Sequence, residues 1–280
     1  FSNYDLVLVN GNHFAAEKQV VFLDPEKENS IKKRIEQLND VQFFISMQEG
    51  IEVFDCLKEK YSNYTEMPVY LIDDVQGISS HLKNLVEKEL PKLSGLVLIG
   101  GKSTRMGTDK SQLSYHGLPQ SDYAVQLLES KGLETFVSVR ADQKAENHKI
   151  ITDAFLGLGP FGAICSAFMK NPNDAYLVLA TDLPYVSDEV LNTLLKNRNP
   201  KKIATAIKGK SAKFMEPLIT IWEPKAYPIL LSYLSQGYSC PRKILINSDV
   251  EIIEVEDALI RNVNTPEEFK KVKKELNTLK

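Results

Sequence analysis

Residues 98–110 read LIGGKSTRMGTDK, and three kinds of group in that run can hold phosphate. Gly100 and Gly101 directly follow an apolar stretch, so the backbone there can turn sharply and approach a ligand closely. Amide groups of such a loop, and of a helix start after Met106-Gly107, can point at phosphate oxygens. Arg105 and Lys110 add two full positive charges close by. The GKST inside the run imitates an ATPase phosphate loop, but its spacing is wrong. A P-loop needs glycine, four residues, then Gly-Lys-Ser/Thr. Counting back from Gly101-Lys102-Ser103 puts the required glycine at Leu96, while Gly95 is one place too early. Leu96-Val97-Leu98-Ile99 instead reads as a buried strand.

A second acidic position complements these cations. AYLVLATD ends an apolar strand with Asp182, at the carboxyl edge where α/β sheets bind ligands. A carboxylate facing a triphosphate calls for Mg²⁺, which takes one or two carboxylates plus phosphate oxygens and water. Asp182 equally suits a cap of the turn before Pro184, and the sequence alone leaves both roles open. KIITD puts Asp153 at another strand end. His13, His81, His116 and His148 are scattered, as are Cys56, Cys165 and Cys240, and they suggest neither a zinc pattern nor a disulfide framework. No Ser–His or Cys–His nucleophile set presents itself, so the expected chemistry is positioning and charge neutralisation around phosphate.

The elements that must hold these groups follow from the rest of the chain. Its 280 residues, 43% hydrophobic and 25% charged, suit a globular protein of one large or two medium domains. A net charge of -3 argues against a nucleic-acid backbone as partner. No run approaches the roughly 20 apolar residues that span a bilayer. The opening FSNYDLVLVNGNHF has no basic region of a signal peptide, and with the unpaired cysteines it points to a reducing cytoplasm. The lack of an initial Met suggests that the chain begins inside a longer product.

Strand-like runs are DLVLV (5–9), VQFFI (41–45), PVYLI (68–72), GLVLI (95–99), TFVSV (135–139), AYLVLA (175–180), KIATAI (202–207) and PLITIW (217–222). Helical patterns lie between them, including SIKKRIEQL, ISSHLKNLVEKEL, DYAVQLLESK and SDEVLNTLLKNR. The alternation predicts an α/β architecture with mostly parallel, doubly covered strands. A linker is expected around Pro91 and Lys92. Near the end, NVNTPEEF predicts a helix with Thr265 as N-cap, Pro266 in the first turn and Glu268 completing a capping box.

Residues 94–280 resemble the MobA-like nucleotidyltransferases, which include the molybdenum cofactor guanylyltransferases. The resemblance rests on LIGGKSTRMGTDK, GPFGA (159–163), TDLPYV (181–186), EPLITIW (216–222) and NVNTPEEF (262–269), in that order. It implies a Rossmann-like nucleotidyltransferase domain with a mostly parallel sheet, preceded by a smaller, partial α/β domain. It further implies that Leu98, Gly100, Gly101, Arg105 and Lys110 bind the nucleotide, with Lys110 on the triphosphate. Asp153 corresponds to an aspartate that contacts the nucleotide, and Asp182 to the metal-binding aspartate, with Asn264 as its helper. Arg105, Lys110 and Asp182 are then the catalytic groups. Arg140 is assigned to nucleotide binding, although Ser138 and Arg140 stand where the guanylyltransferases often have asparagines, so guanine preference is inherited rather than read. Gly159-Pro160-Phe161-Gly162 is expected to turn into a helix lining the same cleft, and Trp222 to pack in a strand.

The implied reaction is Mg²⁺-dependent transfer of GMP from GTP to molybdopterin or Mo-molybdopterin. CTP as donor, another phosphorylated acceptor, or a non-catalytic scaffold delivering cofactor to molybdoenzyme apoproteins are the alternatives. Residues 1–90 resemble, through DLVLVNGNHF and LIDDVQGISSHLKNLVEKEL, the C-terminal part of MobB-like GTP-binding proteins. No P-loop precedes DLVLV here, so no GTPase activity is expected from that segment. Its sheet needs neighbours on both edges. Upstream residues or a second subunit, giving a homo-oligomer, are expected to supply them.

Overall fold

The computed structural model describes residues 7–9, 17–99, 113–143, 145 and 147–278. The chain divides into two compact units, Phe1–Leu90 and Pro91–Lys280.

In the first unit, β1 (Gln19–Leu23), β2 (Val41–Ser46) and β3 (Val69–Leu71) form a parallel sheet in that order. Val21, Leu23 and Phe44 share one face and pack with Phe54 and Leu57, the latter from α2 (Asp55–Lys60). Phe43 packs on Tyr70 and on His81 of α3 (Val75–Lys88), and His81 Nδ1 lies 3.1 Å from the Tyr70 hydroxyl. SIKKRIEQL divides into α1 (Glu28–Lys33) and a short 3₁₀ turn over Ile35–Gln37. The expected DLVLV strand is corrected: Val7, Leu8 and Val9 are exposed and lie outside any strand. An apolar β-type run becomes a strand only where a neighbour offers a ladder, and no described strand pairs with these residues. PVYLI supplies only the three-residue edge strand β3, whose Val69 and Leu71 face solvent.

The second unit is a seven-stranded sheet. It comprises β4 (Leu93–Leu98), β5 (Glu134–Val139), β6 (Lys149–Thr152), β7 (Ala175–Ala180), β8 (Ala204–Gly209), β9 (Glu216–Trp222) and β10 (Val250–Val255). The spatial order is β10-β8-β9-β7-β4-β5-β6, and β9 alone runs antiparallel to its neighbours. Strand β10 is additional to the runs read from the sequence, because VEIIEV alternates half-buried and exposed positions at the sheet edge.

Period-two alternation sorts the core into two layers. Leu96, Leu98, Tyr176, Val178 and Trp222 face α5 (Pro160–Lys170), α7 (Ala226–Ser235) and α8 (Pro241–Ile246), meeting Phe161, Phe168, Leu230 and Ile244. Val97, Ile99, Leu177 and Leu179 face α4 (Gln120–Glu129) and α6 (Asp188–Lys196), meeting Val125, Leu128, Val190 and Leu194. Each of these large side chains contributes about 1.5–3 kcal/mol by leaving water. Trp222 is wholly buried, and its Nε1 donates to the Pro217 carbonyl at 3.3 Å. Arg198 forks onto the fully buried Glu223 at 2.7 and 2.9 Å and also donates to the Pro91 carbonyl, tying the entry of β4 to the end of β9.

The last helix, α9 (Pro266–Thr278), closes a small separate core of Tyr115, Val263 and Val272. Its start is a full capping box. Glu268 Oε2 accepts from the amides of Asn264 and Thr265 at 2.7 and 3.1 Å, and Thr265 Oγ1 accepts from the Glu268 amide at 3.2 Å. Among the described residues, no helix is long and apolar enough to cross a membrane.

Candidate nucleotide and metal site

The strand order reverses beside β4. From β4 the chain steps outward through β5 to β6, then returns to the other flank of β4 as β7. Such a switch point opens a crevice at the carboxyl ends of the strands. Leu98 stands there, the last residue of β4, in register with Ser138 of β5 and Ala180 of β7. Leu96, where a P-loop would need its first glycine, is fully buried in mid-strand, which disposes of the GKST imitation. Gly100, Gly101, Arg105 and Lys110 lie outside the described residues.

Asp182 follows β7 by two residues and is anchored from both sides. Thr181 Oγ1 reaches the Leu98 carbonyl at 3.5 Å. The Val263 amide donates to the Asp182 carbonyl at 2.9 Å, which brings the Asn262-Val263-Asn264 loop against the TDLP turn. Asn264 and Asp182, distant in sequence, are thereby neighbours at one edge. The loop is held there by α9, whose Phe269 ring meets the buried Tyr115 ring edge-on at 4.9 Å. Burial pushes the Tyr115 phenol well above its ordinary range, helped by the negative charges of Asp182 and Glu268. Tyr185, in the same turn, bonds Glu275, and Arg261 bonds both of them while stacking 4.5 Å from the Tyr185 ring.

On the far flank Asp153 sits just beyond β6. Its amide donates to the Val139 carbonyl at 2.8 Å, and its Oδ1 accepts from Ser138 Oγ at 2.6 Å. Partial burial raises its carboxyl, outweighing the Ser138 bond and the positive charge of Arg140. The Arg140 guanidinium pairs with Asp142, Nε to Oδ1 at 3.0 Å. Three strand spacings separate β6 from β7, about 14 Å. Asp153 and Arg140 therefore flank the crevice opposite Asp182 and Asn264, with Leu98 between.

GPFGA acts here as a hinge into α5. Gly159 adopts φ 57°, a left-handed conformation that suits glycine, and Pro160 opens the helix. A Cβ on Gly162 would lie 2.3 Å from the Phe155 carbonyl oxygen. Ser166 Oγ donates to the Gly162 carbonyl and accepts from the Ala154 amide at 2.8 Å, so α5 is bolted to the loop that carries Asp153.

Three contributors have no role in the sequence reading. His116 Nε2 lies 2.9 Å from the Pro184 carbonyl, so that nitrogen carries the proton, and its ring stacks on Tyr123 at 3.7 Å. Val263 acts through its backbone alone. Glu216 begins β9, and because β9 runs backwards its first residue lies at the same edge as the last residues of β7. Burial, more than the neighbouring Asp182 charge, pushes the Glu216 carboxyl up, against the opposing pull of Arg242 at 3.3 Å. The signal in the sequence was the acid heading EPLITIW, but strand direction is not written in it.

Asp182, Glu216 and the Asn264 amide supply oxygen donors only, the chemistry Mg²⁺ prefers. Among the described residues there is no group of three or more His, Cys, Asp or Glu side chains that holds a metal by itself. This donor set suits an ion that arrives with phosphate oxygens.

The relatives agree with this architecture. Residues 95–251 match the family model described as the MobA-like NTP transferase domain. A molybdenum cofactor biosynthesis bifunctional protein of Synechocystis is 31% identical over 82% of this chain and 74% of its own length. A probable molybdenum cofactor guanylyltransferase of Carboxydothermus hydrogenoformans is 28% identical over 66% of this chain and 97% of its own. The crystal structure of molybdopterin-guanine dinucleotide biosynthesis protein A from Archaeoglobus fulgidus shares the fold, with TM-score 0.56 and 22% identity over 66% of this chain and 99% of that one. This chain belongs to the MobA-like NTP transferase family.

Proposed function

We infer that the protein is a molybdenum cofactor guanylyltransferase, transferring GMP from GTP to molybdopterin or Mo-molybdopterin with release of pyrophosphate. The observation that carries this reading is the carboxylate-bearing turn at Asp182, docked to the Asn264 loop beside Leu98 at the switch point of a family member's sheet. The names borne by the Synechocystis and Carboxydothermus relatives support the substrate assignment.

In this reaction a phosphate oxygen of the acceptor bonds to the α-phosphorus of GTP while the α–β bridging bond breaks. Pyrophosphate departs in line. The reaction needs no nucleophile from the protein. Leu98, Gly100 and Gly101 line the nucleotide, Lys110 and Arg105 offset charge on the triphosphate and the leaving group, and Asp153 with Arg140 flanks the nucleoside side. Asp182, assisted by Asn264, would hold Mg²⁺, which when bound would neutralise phosphate charge. Positioning and electrostatics carry such a transfer.

The first unit is read as a companion module of the same pathway. The Synechocystis match supports this, because it covers more of the chain than Pro91–Lys280 alone contains. The test is incubation with molybdopterin, Mg²⁺ and labelled GTP, CTP or ATP, followed by identification of the dinucleotide formed. GTP is expected to be the preferred donor. Preference for CTP overturns the guanylyl assignment, and pyrophosphate release without a dinucleotide product overturns the acceptor.

A further inference from the structure

Resting on the reading just given, we propose that His116 and Tyr123 are positioning residues that fix the Asp182 turn for the cation. Alternate carbonyls of that turn receive donors from three separate segments. The Asp182 carbonyl accepts from the Val263 amide at 2.9 Å. The Pro184 carbonyl accepts from His116 Nε2 at 2.9 Å, and the Val186 carbonyl from the Tyr123 hydroxyl at 3.3 Å. The turn also closes on itself, the Val186 amide donating to the Leu183 carbonyl at 3.2 Å.

Both donors are themselves held. A bridge between Ser114 and Pro119 pinches the segment that carries His116 into a tight turn, with Gly117 at φ 89°. Tyr123 stands near the start of α4. The two rings stack 3.7 Å apart and 14° from parallel, so each limits the rotamers of the other. Burial, helped by the charge of Asp188, raises the Tyr123 phenol, which keeps it a donor at neutral pH. Leu183 and Val186 are buried in the core, so packing already holds the foot of the turn. What the carbonyl bonds add is direction. They set the peptide planes from 182 to 186, and with them the angle at which the Asp182 carboxylate leaves the backbone. A functional group must keep its geometry to within about 0.5 Å to act.

His116→Phe keeps a flat ring for the stack and removes the donor, whereas His116→Gln keeps a donor and removes the ring. Binding of Mn²⁺–GTP to the full chain without acceptor, followed by electron paramagnetic resonance, is compared with the thermal midpoint. His116→Phe is expected to weaken Mn²⁺–GTP by about tenfold, the scale on which groups behind a metal ligand act. Its midpoint should stay within a few degrees of wild type, and His116→Gln should recover most of the lost affinity. Unchanged affinity in His116→Phe overturns the proposal, and so does a His116→Gln variant as weak as His116→Phe. A lowered midpoint with wild-type affinity in the folded protein marks a bond that only stabilises, and also overturns it. Tyr123→Phe removes a hydroxyl, keeps the stack, and carries the test if the His116 variants do not fold. It should weaken Mn²⁺–GTP by about threefold, the scale of an ordinary hydrogen bond, and unchanged affinity there sinks the proposal. Asp182→Asn separates the two levels. If it leaves Mn²⁺–GTP binding intact, the cation site is misassigned and the proposal falls with it. If it weakens binding while His116→Phe does not, only the positioning role fails.

Discussion

The Val263 amide donates to the Asp182 carbonyl at 2.9 Å, joining the turn after β7 to the loop before α9. One hydrogen bond thus links two stretches far apart in sequence, each carrying an oxygen donor for the proposed cation. The capping box behind Val263 holds one side of this junction, and the Tyr185–Glu275–Arg261 cluster holds the other.

Asp182→Asn keeps the size of the side chain and removes its charge. Turnover, measured as pyrophosphate release, is expected to fall at least about 100-fold, the scale of losing a preorganised electrostatic group. The thermal midpoint should stay within a few degrees, because the backbone bond to Val263 survives. Unchanged release from the folded variant removes Asp182 from the mechanism.

Glu268→Ala removes the acceptor for two amides at once, those of Asn264 and Thr265. Loss of such a cap costs about 1 kcal/mol, which lowers the midpoint by about 2–4 °C for a unit of this size. Thermal unfolding followed by circular dichroism checks it. A midpoint equal to that of the wild type means that α9 does not depend on its box.

Gly162→Ala drives a methyl group toward the Phe155 carbonyl oxygen. The α5 start or the Asp153 loop must shift, and overpacking of this kind costs about 1–3 kcal/mol. Because Ser166 bolts the two segments together, weaker GTP binding by calorimetry should accompany the lower stability. Full stability with full affinity would show that the contact relaxes freely.

Glu134 is clipped by Lys92 at 2.5 Å and by Lys149 at 2.6 Å, a link between the starts of β4, β5 and β6. The bonds to Lys149 and then Lys92 hold its carboxyl down to about 2, below its ordinary 4.5. A carboxyl depressed on folding stabilises fully above its unfolded pKa, and that contribution fades as pH falls through the folded value. Glu134→Gln should therefore lower the urea midpoint at pH 7 and change it little near pH 2. The group is exposed, so the effect is small and shrinks with added salt. An equal effect at both pH values would contradict the assignment.

Much of the fold is legible residue by residue. The apolar run around Leu96 declares a buried strand, and NVNTPEEF declares the α9 cap through side chains that bond their own neighbours. These are local interactions, and local spacing records them. DLVLV shows the limit: the same β-type composition leaves Val7–Val9 outside any strand, because a strand needs a partner that the run cannot specify. PVYLI fails more mildly, keeping a strand but at an exposed edge.

The sequence by itself determined which chemistry is on offer: a glycine-rich run with Arg105 and Lys110, an aspartate after a buried strand, and a capped terminal helix. Tertiary structure alone decided which of these groups meet. The reversal of strand order beside β4 sets Asp182 and Asp153 on opposite flanks of one crevice, and the backward run of β9 adds Glu216 to it. Strand order and direction arise from packing between residues distant along the chain, and no local pattern encodes them.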